Sequence, residues 1–249
     1  MAKKGFDAVR TRTTLIALGC TLFLRATVQA GDTLESVEKR LGAQWEKLSS
    51  MSARFDLVRK EIRDGVPMTT RGQGKFEYLK HDDRRLYRTD LDSRTQPDDK
   101  STKGISEKSA TMIDDGVYLY TLSTRTTRPV PAAVKMVSQP GGLGGNGKAM
   151  LGLMRKTHDL RLLPDQSISK QACYVVEATR KGAPRGGAVR KMIFFRRADG
   201  IVLEMRGFDA RGEQIMTMTY RDIKLNPKID PRRFIFKAPP GVKIVDRTK

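Results

Sequence analysis

Short alternating stretches separated by tight turns fill the last third of the chain, and this pattern restricts the fold more than any other feature. Tyr174, Val176 and Ala178 share one parity, and Asp199-Gly200 and Gly212 mark turns that lead into further alternating stretches. Side chains of a strand alternate between the two faces of a sheet, and a short turn joins antiparallel neighbours. The pattern therefore predicts an antiparallel β meander.

The same alternation recurs in the middle of the chain, after a helical pattern. Phe76 and Tyr78 alternate with polar residues, and residues 112–122 are apolar on both faces, which predicts an interior strand. Pro129 and Pro131 are expected to stop regular strand pairing. An apolar stripe at three- and four-residue spacing predicts an amphipathic helix that covers the sheet, formed by Leu34, Val37, Leu41, Trp45 and Leu48. The predicted class is mainly β with helices (α+β), in one domain.

The amino terminus has the composition of an export signal. Basic residues precede an apolar stretch at 15–24, and Val28-Gln29-Ala30 has the small-x-small pattern of a signal peptidase site. The stretch is shorter than the roughly 20 residues that a spanning helix needs. We therefore predict a cleavable signal peptide over residues 1–30 and a periplasmic domain over 31–249. Lipid attachment at Cys20 is the alternative, and the apolar residues that continue past Cys20 argue against it.

The chain is strongly basic, with 48 Lys and Arg residues against 28 Asp and Glu and a formal net charge of +20. This excess favours anionic partners such as phospholipid surfaces, acidic proteins or nucleic acid. The export signal and the lack of a recognition-helix or zinc signature argue against nucleic acid. Cleavage after Ala30 would leave Cys173 as the single cysteine, which excludes an internal disulfide and a cysteine-based metal cluster.

Two segments of the sequence lack strand periodicity. Residues 92–109 are polar and aperiodic, which predicts a solvated loop. Residues 140–147 are rich in glycine but lack the Gly-Lys-Ser/Thr ending of a phosphate-binding loop, and they predict a flexible hinge. A short apolar helix with Met150, Leu151 and Met154 follows the hinge, and we expect it to be a mobile cover.

Residue types that carry catalysis do not form a recognisable constellation in the sequence. His81 and His158 lie far apart, and neither belongs to a metal or nucleophile motif. Cys173 lies within a predicted strand, where an inert buried thiol is usual. The turn-like residues at 81–83 are explained better by a polar turn than by a cation site. The sequence therefore predicts a non-enzymatic protein without a metal or a cofactor.

Three segments and their order are distinctive in combination with the export signal. They are Gly72-Gln73-Gly74-Lys75-Phe76, the strand start at 115–120, and the carboxy-terminal stretch at 226–246, which contains Phe-Ile-Phe-Lys-Ala-Pro-Pro-Gly. These segments resemble the family of the periplasmic lipoprotein carrier LolA, over nearly all of the predicted mature chain. The resemblance implies a single curved antiparallel sheet that forms an incomplete barrel, with helices plugging its apolar mouth. Residues 92–109 look like an insertion relative to the family pattern.

The resemblance also implies a cavity for acyl chains. An acyl chain exposed to water costs about 0.8 kcal/mol per methylene, so a carrier has to offer a dry, concave apolar surface. The expected lining comes from several strands and consists of Phe76, Tyr78, Tyr118, Tyr120, Leu203, Met205, Met216, Met218 and Tyr220. The expected lid consists of Trp45, Met150, Leu151 and Met154. The alternative is that these side chains are packed core.

One position departs from the family pattern. Family carriers place an Arg-Pro pair after the Gly-Gln-Gly strand, where the arginine holds the lid, whereas this chain has Lys80-His81 and then Arg84-Arg85. Lysine can donate a hydrogen bond but lacks the planar fork of arginine. Lys80, Arg84 and Arg85 are therefore the candidates for a contact with the lid or with a headgroup.

The resulting hypothesis is a periplasmic carrier, monomeric by default, that binds lipoprotein acyl chains or phospholipid for transfer to the outer membrane. Its expected partners are membrane-bound donor and acceptor proteins. A periplasmic sensor of lipids or lipoproteins with the same fold is the alternative. The basic pairs Arg84-Arg85, Arg196-Arg197 and Arg232-Arg233 are either edge charges that oppose sheet aggregation or a docking face for an anionic membrane.

Overall fold

Two α helices and twelve strands make up the part of the chain that the computed structural model describes, which is residues 31–99, 104–125, 128–138, 147–182 and 187–248. The helices are α1 (Leu34–Glu46) and α2 (Gly147–Arg155). The strands are β1 (Ser50–Arg63), β2 (Val66–His81), β3 (Arg84–Pro97), β4 (Ser106–Asp114), β5 (Tyr118–Arg125), β6 (Arg128–Val137), β7 (His158–Ile168), β8 (Gln171–Arg180), β9 (Arg190–Arg196), β10 (Val202–Phe208), β11 (Gln214–Leu225) and β12 (Ile244–Asp246).

All twelve strands belong to one sheet, in the order β12-β6-β5-β4-β3-β2-β1-β11-β10-β9-β8-β7. Neighbours are antiparallel except β12, which pairs with β6 in parallel. β7 and β12 are the two ends of this order, so the sheet is not closed into a barrel. The predicted class, mainly β with an open antiparallel sheet and two covering helices, is confirmed. The predicted meander corresponds to β8, β9, β10 and β11, with Gly200 (φ 72°) and Gly212 (φ 83°) in its turns.

The predicted amphipathic helix is α1, and its start is fixed by a capping box. The backbone N–H of Ser36 donates to Thr33 Oγ1 (3.1 Å), and the backbone N–H of Thr33 donates to Ser36 Oγ (3.0 Å). These bonds satisfy two of the amide donors that a helix leaves free at its first turn. Val37, Leu41 and Trp45 form the buried side of the helix.

Strand pairing assigns the side chains of the sheet to two faces, because directly opposed residues of paired strands point to the same side. α1 and α2 cover the side that carries Phe55, Phe76, Tyr174 and Phe195, which we call the helix face. The other side, which we call the opposite face, carries Leu79 and further apolar residues around it.

The chain after β11 crosses the opposite face, and we call residues 226–246 the C-terminal strap. A short 3-10 turn (Pro231–Phe234) places Phe234, which is 1% exposed, against Leu86 and Ile113. Arg233 of the strap binds the carboxylate of Glu77 at 2.8 Å, and the Glu77 side chain is only 5% exposed. A buried carboxylate requires such a partner, so this pair holds the strap in register on β2.

Strand residues occupy much of the region that the sequence predicts to be a loop at 92–109. β3 continues to Pro97 and β4 begins at Ser106, so residues 92–97 and 106–109 of the predicted loop lie in strands. Cross-strand contacts here are polar, as in the hydrogen bond that Ser109 Oγ donates to Asp92 (2.6 Å). Because the side chains are polar on both faces, the alternation that identifies a strand is missing from the sequence.

One further prediction about a strand is wrong, and another is confirmed in part. The interior strand predicted at 112–122 is a hairpin of β4 and β5, with a turn at Gly116 (φ 85°). Pro129 and Pro131 lie within β6, but the register between β5 and β6 shifts at this point, since Ser123 is opposed to Ala132 and Arg125 to Arg128. The prolines thus interrupt regular pairing without ending the strand, and β12 pairs with β6 over Ala133–Lys135, beyond both of them.

The predicted signal peptide and most of the predicted hinge lie outside the described residues. The described part of the hinge is Gly147, which is the first residue of α2 and is buried. A Cβ at this position would lie 2.8 Å from Phe195 Cε1 and 3.0 Å from Leu41 Cδ1. Gly147 therefore allows α2 to approach α1 and the sheet closely.

Candidate functional site

The end of α1 packs directly on the helix face. The ring centroids of Trp45 and Tyr78 lie 4.7 Å apart, and Tyr87 lies 5.3 Å beyond Tyr78. Trp45, Phe76 and Tyr78 are at most 2% exposed. Two residues predicted to line a cavity, Phe76 and Tyr78, are therefore buried in one cluster with the predicted lid residue Trp45.

α2 covers the neighbouring part of the helix face, over β8 and β9. Leu151 is fully buried, and Met150 and Met154 are partly buried beside it. Met205 and Tyr220, both predicted to line the cavity, pack against the same cluster. The structure thus brings the second half of the predicted lid together with two of the predicted lining residues.

A strip of partly exposed apolar side chains continues on the helix face beyond the two helices. Met205 and Met218 are directly paired, and Met218 is also paired with Leu57 of β1. Met216 belongs to the adjacent row, opposite Gly207. All four of these side chains are only partly buried. We call Met205, Met216, Met218 and Leu57 the methionine strip. Thioether side chains adapt to irregular apolar surfaces, so the strip suits a ligand of variable shape.

Three of the predicted lining residues lie elsewhere. Tyr120 is opposed to Ile113, so it lies on the opposite face, where its ring stacks on Phe236 of the C-terminal strap at 4.8 Å. Tyr118 has the same parity, and the Lys135 ammonium lies 3.9 Å from its ring centroid. Leu203 packs in a separate cluster with Cys173, Val175 and Phe194. A bulge between Val202 and Glu204 separates Leu203 from the parity of Met205. The structure therefore does not bring Tyr118, Tyr120 and Leu203 to the methionine strip.

The residues predicted to contact the lid lie at the carboxy-terminal end of α1. Arg85 donates to Glu46 Oε1 at 2.5 Å, and Lys80 Nζ lies 3.9 Å from Glu46 Oε2. Arg84 instead packs against the turn at Gly116. The arginine that holds the helix here is thus Arg85, with Lys80 as a weaker second partner.

The amino-terminal end of α1 is held by residues that the sequence analysis did not single out. Asp32 accepts from Arg40 (2.8 Å) and from Arg197 (3.1 Å), and its side chain is 11% exposed. Arg40 also donates to Tyr174 Oη at 2.8 Å. Asp32 and Arg197 are far apart in the sequence and share no motif. They come into contact because the start of α1 lies next to the turn that follows β9.

α1 and α2 are joined to each other by a charged pair. Arg155, the last residue of α2, lies 2.8 Å from Glu38 of α1, and the Glu38 side chain is 10% exposed. Gln44 donates to the carbonyl oxygens of Arg197 (3.2 Å) and Ala198 (3.1 Å). Polar contacts thus fix the two helices along their exposed edges, and apolar packing holds their buried sides.

The basic pairs considered as a docking face are engaged within the chain. Arg196 binds Asp199 at 2.6 Å, and Arg232 binds Asp230 at 2.6 Å. Arg197 and Arg233 bind Asp32 and Glu77, as described above. These contacts favour a structural role for the pairs over a headgroup site.

The histidines and the cysteine of the described chain lie on three different strands, His81 at the end of β2, His158 at the start of β7 and Cys173 in β8. His158 is buried, and burial beside Lys191 and Arg180 lowers its pKa. Cys173 is buried, and burial raises its pKa. Within the described ranges, no group of three or more His, Cys, Asp or Glu side chains is placed to hold a metal ion. None of the described helices has the length and apolar character needed to cross a membrane.

Tyr220 beside the methionine strip gives a testable pH dependence. Burial raises the pKa of Tyr220 to about 12, above the ordinary tyrosine value of about 10. The Tyr220 hydroxyl therefore loses its proton at lower pH in the unfolded chain than in the folded chain. Its contribution to the stability of the fold is complete below a pH of about 10 and is lost as the pH rises to about 12. We expect Tyr220→Phe to lose less stability than wild type in this interval. Urea unfolding at a series of alkaline pH values measures the free energy of unfolding of both proteins. If this free energy fell equally with pH in the two proteins, the prediction would be contradicted.

A groove of about 920 Å³ opens in the sheet away from the helices. It is lined by three consecutive cross-strand rows of β1 to β5, among them Asp56, Gln73 and Asp92. Six residues separate Met51 beneath α1 from Leu57 in the groove, which is about 20 Å of extended strand. Most residues that line it have polar or charged side chains, with Leu57 and Val58 as the apolar ones, so this groove differs in composition from the apolar cavity predicted from the sequence.

No family model and no curated protein matches this sequence. Among solved structures, a conserved uncharacterised protein from Thermus thermophilus is similar at 11% identity and a TM-score of 0.49, covering 86% of this chain and 98% of that chain. MucB in the MucA/MucB complex of Pseudomonas aeruginosa is similar at 10% identity and a TM-score of 0.39, covering 79% of this chain and 61% of that chain.

A LolA superfamily protein from Nitrosomonas europaea is also similar, at 13% identity and a TM-score of 0.29, covering 82% of this chain and 98% of that chain. All of these similarities are at low identity and concern the fold. The structural neighbours thus include a LolA superfamily protein and MucB, both at low identity.

Proposed function

We propose that this protein binds acyl chains of lipids or lipid-modified proteins on the helix face, beneath α2 and along the methionine strip, and carries them through the periplasm without catalysis. The observation that carries the proposal is the methionine strip, whose side chains remain partly exposed where the helix cover ends. Covering such a strip with an acyl chain removes apolar surface of both partners from water.

In this proposal the structure shows the helices in their closed position. Phe76 and Tyr78 are buried in one cluster with Trp45, so an acyl chain does not fit beneath α1 in its present position. α2 is the better candidate for the moving lid, because it buries Gly147 and Leu151, whereas α1 buries Val37, Glu38, Leu41 and Trp45. Exposing one buried leucine costs about 1.5–3 kcal/mol. An acyl chain of ordinary length recovers more than this on binding.

Native mass spectrometry of the protein isolated from the cell tests this proposal. We expect co-purified lipid or lipoprotein on the wild type, and a reduction of about tenfold in the double variant Met205→Gln/Met218→Gln, because both changes place an amide against the acyl chain. Met192→Gln is the matched control, since Met192 is also partly buried but is opposed to Arg206 on the other face. This control variant should retain its ligand.

The outcomes of this experiment distinguish a carrier from a sensor with the same fold. Equal loss of lipid in the control and in the double variant would mean that the strip is not the site. Protein without any bound lipid, recovered together with a membrane-bound regulatory protein, would favour the sensor over the carrier.

A further inference from the structure

The hairpin of β1 and β2 extends beyond its neighbours in the sheet. β1 pairs with β11 as far as Arg59, and β2 pairs with β3 from Met68, in the described part of the chain. The two strands of the hairpin continue to pair with each other as far as Arg63 and Val66. We call residues 60–67 the hairpin tip. Apart from the hydrogen bond that the Asp98 N–H donates to the Pro67 carbonyl, the pairing described at the tip is within the hairpin.

Apolar side chains are exposed at the hairpin tip. Ile62 is 75% exposed and Val66 is 39% exposed, and Pro67 is exposed between them and the sheet. Met68, one residue further along, is 4% exposed. Exposed β-branched apolar residues on a protruding strand pair invite aggregation unless another surface covers them. Their position points to a partner at this end of the sheet.

Charged residues of both signs surround the tip, with Asp64 exposed at its turn and Asp98 beside Pro67, and basic residues continue behind it. Arg59, Lys60 and Arg63 are exposed, and Glu61 binds Arg59 at 3.2 Å and Arg63 at 2.5 Å. This leaves Lys60 as a further positive charge on the opposite face, on the same side as Ile62 by strand parity.

Two like-charged pairs lie in the rows behind the tip. Arg71 is directly opposed to Arg94 on the opposite face, and Lys108 is directly opposed to Arg125 on the helix face. Like charges directly opposite each other in an antiparallel pair destabilise the sheet. All four side chains belong to residues that line the groove of about 920 Å³. Glu107 is also opposed to Arg94, with 3.9 Å between the charged groups, and offsets part of this repulsion, so an anionic surface at this end would chiefly engage Arg71.

We propose that this end of the sheet docks on an anionic phospholipid membrane, with Ile62 and Val66 in the interfacial layer and Arg71 and Arg94 against lipid phosphates. The dimensions agree with this arrangement. Four residues separate Pro67 from Arg71, which is about 13 Å of extended strand, and interfacial apolar groups enter to a depth of about 5–10 Å. Arg71 and Arg94 then lie at the level of the headgroups. The proposal does not rest on acyl-chain binding by the methionine strip.

Co-sedimentation with vesicles tests the apolar part of this proposal. Vesicles of phosphatidylcholine mixed with phosphatidylglycerol serve as the anionic surface, and vesicles of phosphatidylcholine alone serve as the neutral one. We expect the double variant Ile62→Ser/Val66→Ser to bind the anionic vesicles about tenfold more weakly than wild type. The matched control is Ile235→Ser/Val245→Ser, because these residues are 56% and 49% exposed at other places on the surface. This control should bind as the wild type does.

The electrostatic part is tested by Arg71→Gln/Arg94→Gln. Each basic residue near an anionic surface changes the binding constant by about fivefold, so this variant should bind more than tenfold more weakly and with a shallower dependence on salt. Arg232→Gln is the control, since Arg232 is exposed but paired with Asp230. Wild-type binding that is equal on neutral and anionic vesicles, or unchanged in both test variants, would overturn the proposal. If these variants retained co-purified lipid, the membrane-docking end of the sheet would be shown to be distinct from the acyl-binding site.

Discussion

Replacing Trp45 by alanine should lower the free energy of unfolding by about 3–5 kcal/mol, which is the usual cost of removing a large buried aromatic side chain. Trp45 is 2% exposed and packs on Tyr78 in a cluster that also includes Phe55, Phe76 and Tyr87. The cavity left by the indole would lie between a helix and strands that cannot close it, since β1 and β2 are paired along their full lengths. The measurement is urea unfolding at neutral pH.

Ile235→Ala is the control for the tryptophan variant. Ile235 is 56% exposed, and a surface substitution of this kind usually changes stability by less than about 0.5 kcal/mol. If Trp45→Ala shifted the unfolding midpoint no more than Ile235→Ala, the packing of α1 on the sheet would be refuted. The proposed division of roles, in which α1 is fixed and α2 moves, would then have no basis.

Gly74→Ala should also destabilise the fold, by about 1–3 kcal/mol or more, because the added methyl group has no space. A Cβ at Gly74 would lie 2.2 Å from Phe55 Cζ and 2.5 Å from the carbonyl oxygen of Asp90. Phe55 is 1% exposed and is directly opposed to Gly74, so its ring cannot move away without disturbing the core. The added Cβ would also clash with the backbone oxygen of Asp90, and a change of side-chain rotamer cannot relieve that clash.

Gly152→Ala is the matched glycine substitution. Gly152 lies in α2 and is exposed, and a Cβ added there would meet no atom within 4 Å. Alanine is favoured over glycine inside a helix by about 0.5–1 kcal/mol, so this variant should be more stable than wild type. Opposite signs for the two glycine variants in the same urea assay are the expected result. A Gly74→Ala protein as stable as wild type would show that Phe55 does not occupy the space above Gly74.

The Gly74 position also explains part of the motif that carries the sequence resemblance. Gly74 provides the space that the Phe55 ring occupies, and Gly72 is close to Leu91 and Ser93 of β3. The glycines of the motif therefore allow side chains of β1 and β3 to pack closely against β2. Its presence in the sequence is informative about the sheet and carries no information on a ligand.

Local patterns in the sequence were sufficient for the elements whose two sides differ in polarity. The α1 stripe of Val37, Leu41 and Trp45 and the meander that contains Tyr174 and Val176 are both confirmed. Burial on one side imposes a period of 3.6 residues on a helix and of 2 on a strand, and this period is visible in one dimension. Where both sides are polar, as at 92–97 and 106–109, the period is absent, and the strands there were not predicted.

The composition of the candidate site was decided by strand register and by the path of the chain end. Tyr118 and Tyr120 have the apolar character of lining residues, but pairing of β5 with β4 turns them to the opposite face, where the C-terminal strap covers Tyr120. A shift of one residue exchanges the two faces of a strand, so residue type alone cannot assign a side chain to a face. The sequence by itself determined the strands that have one apolar face, the first helix and the apolar residues available to them. Only the tertiary structure decided which of these residues are packed core, which form the methionine strip, and which charges hold α1, because these depend on contacts between residues far apart in the chain.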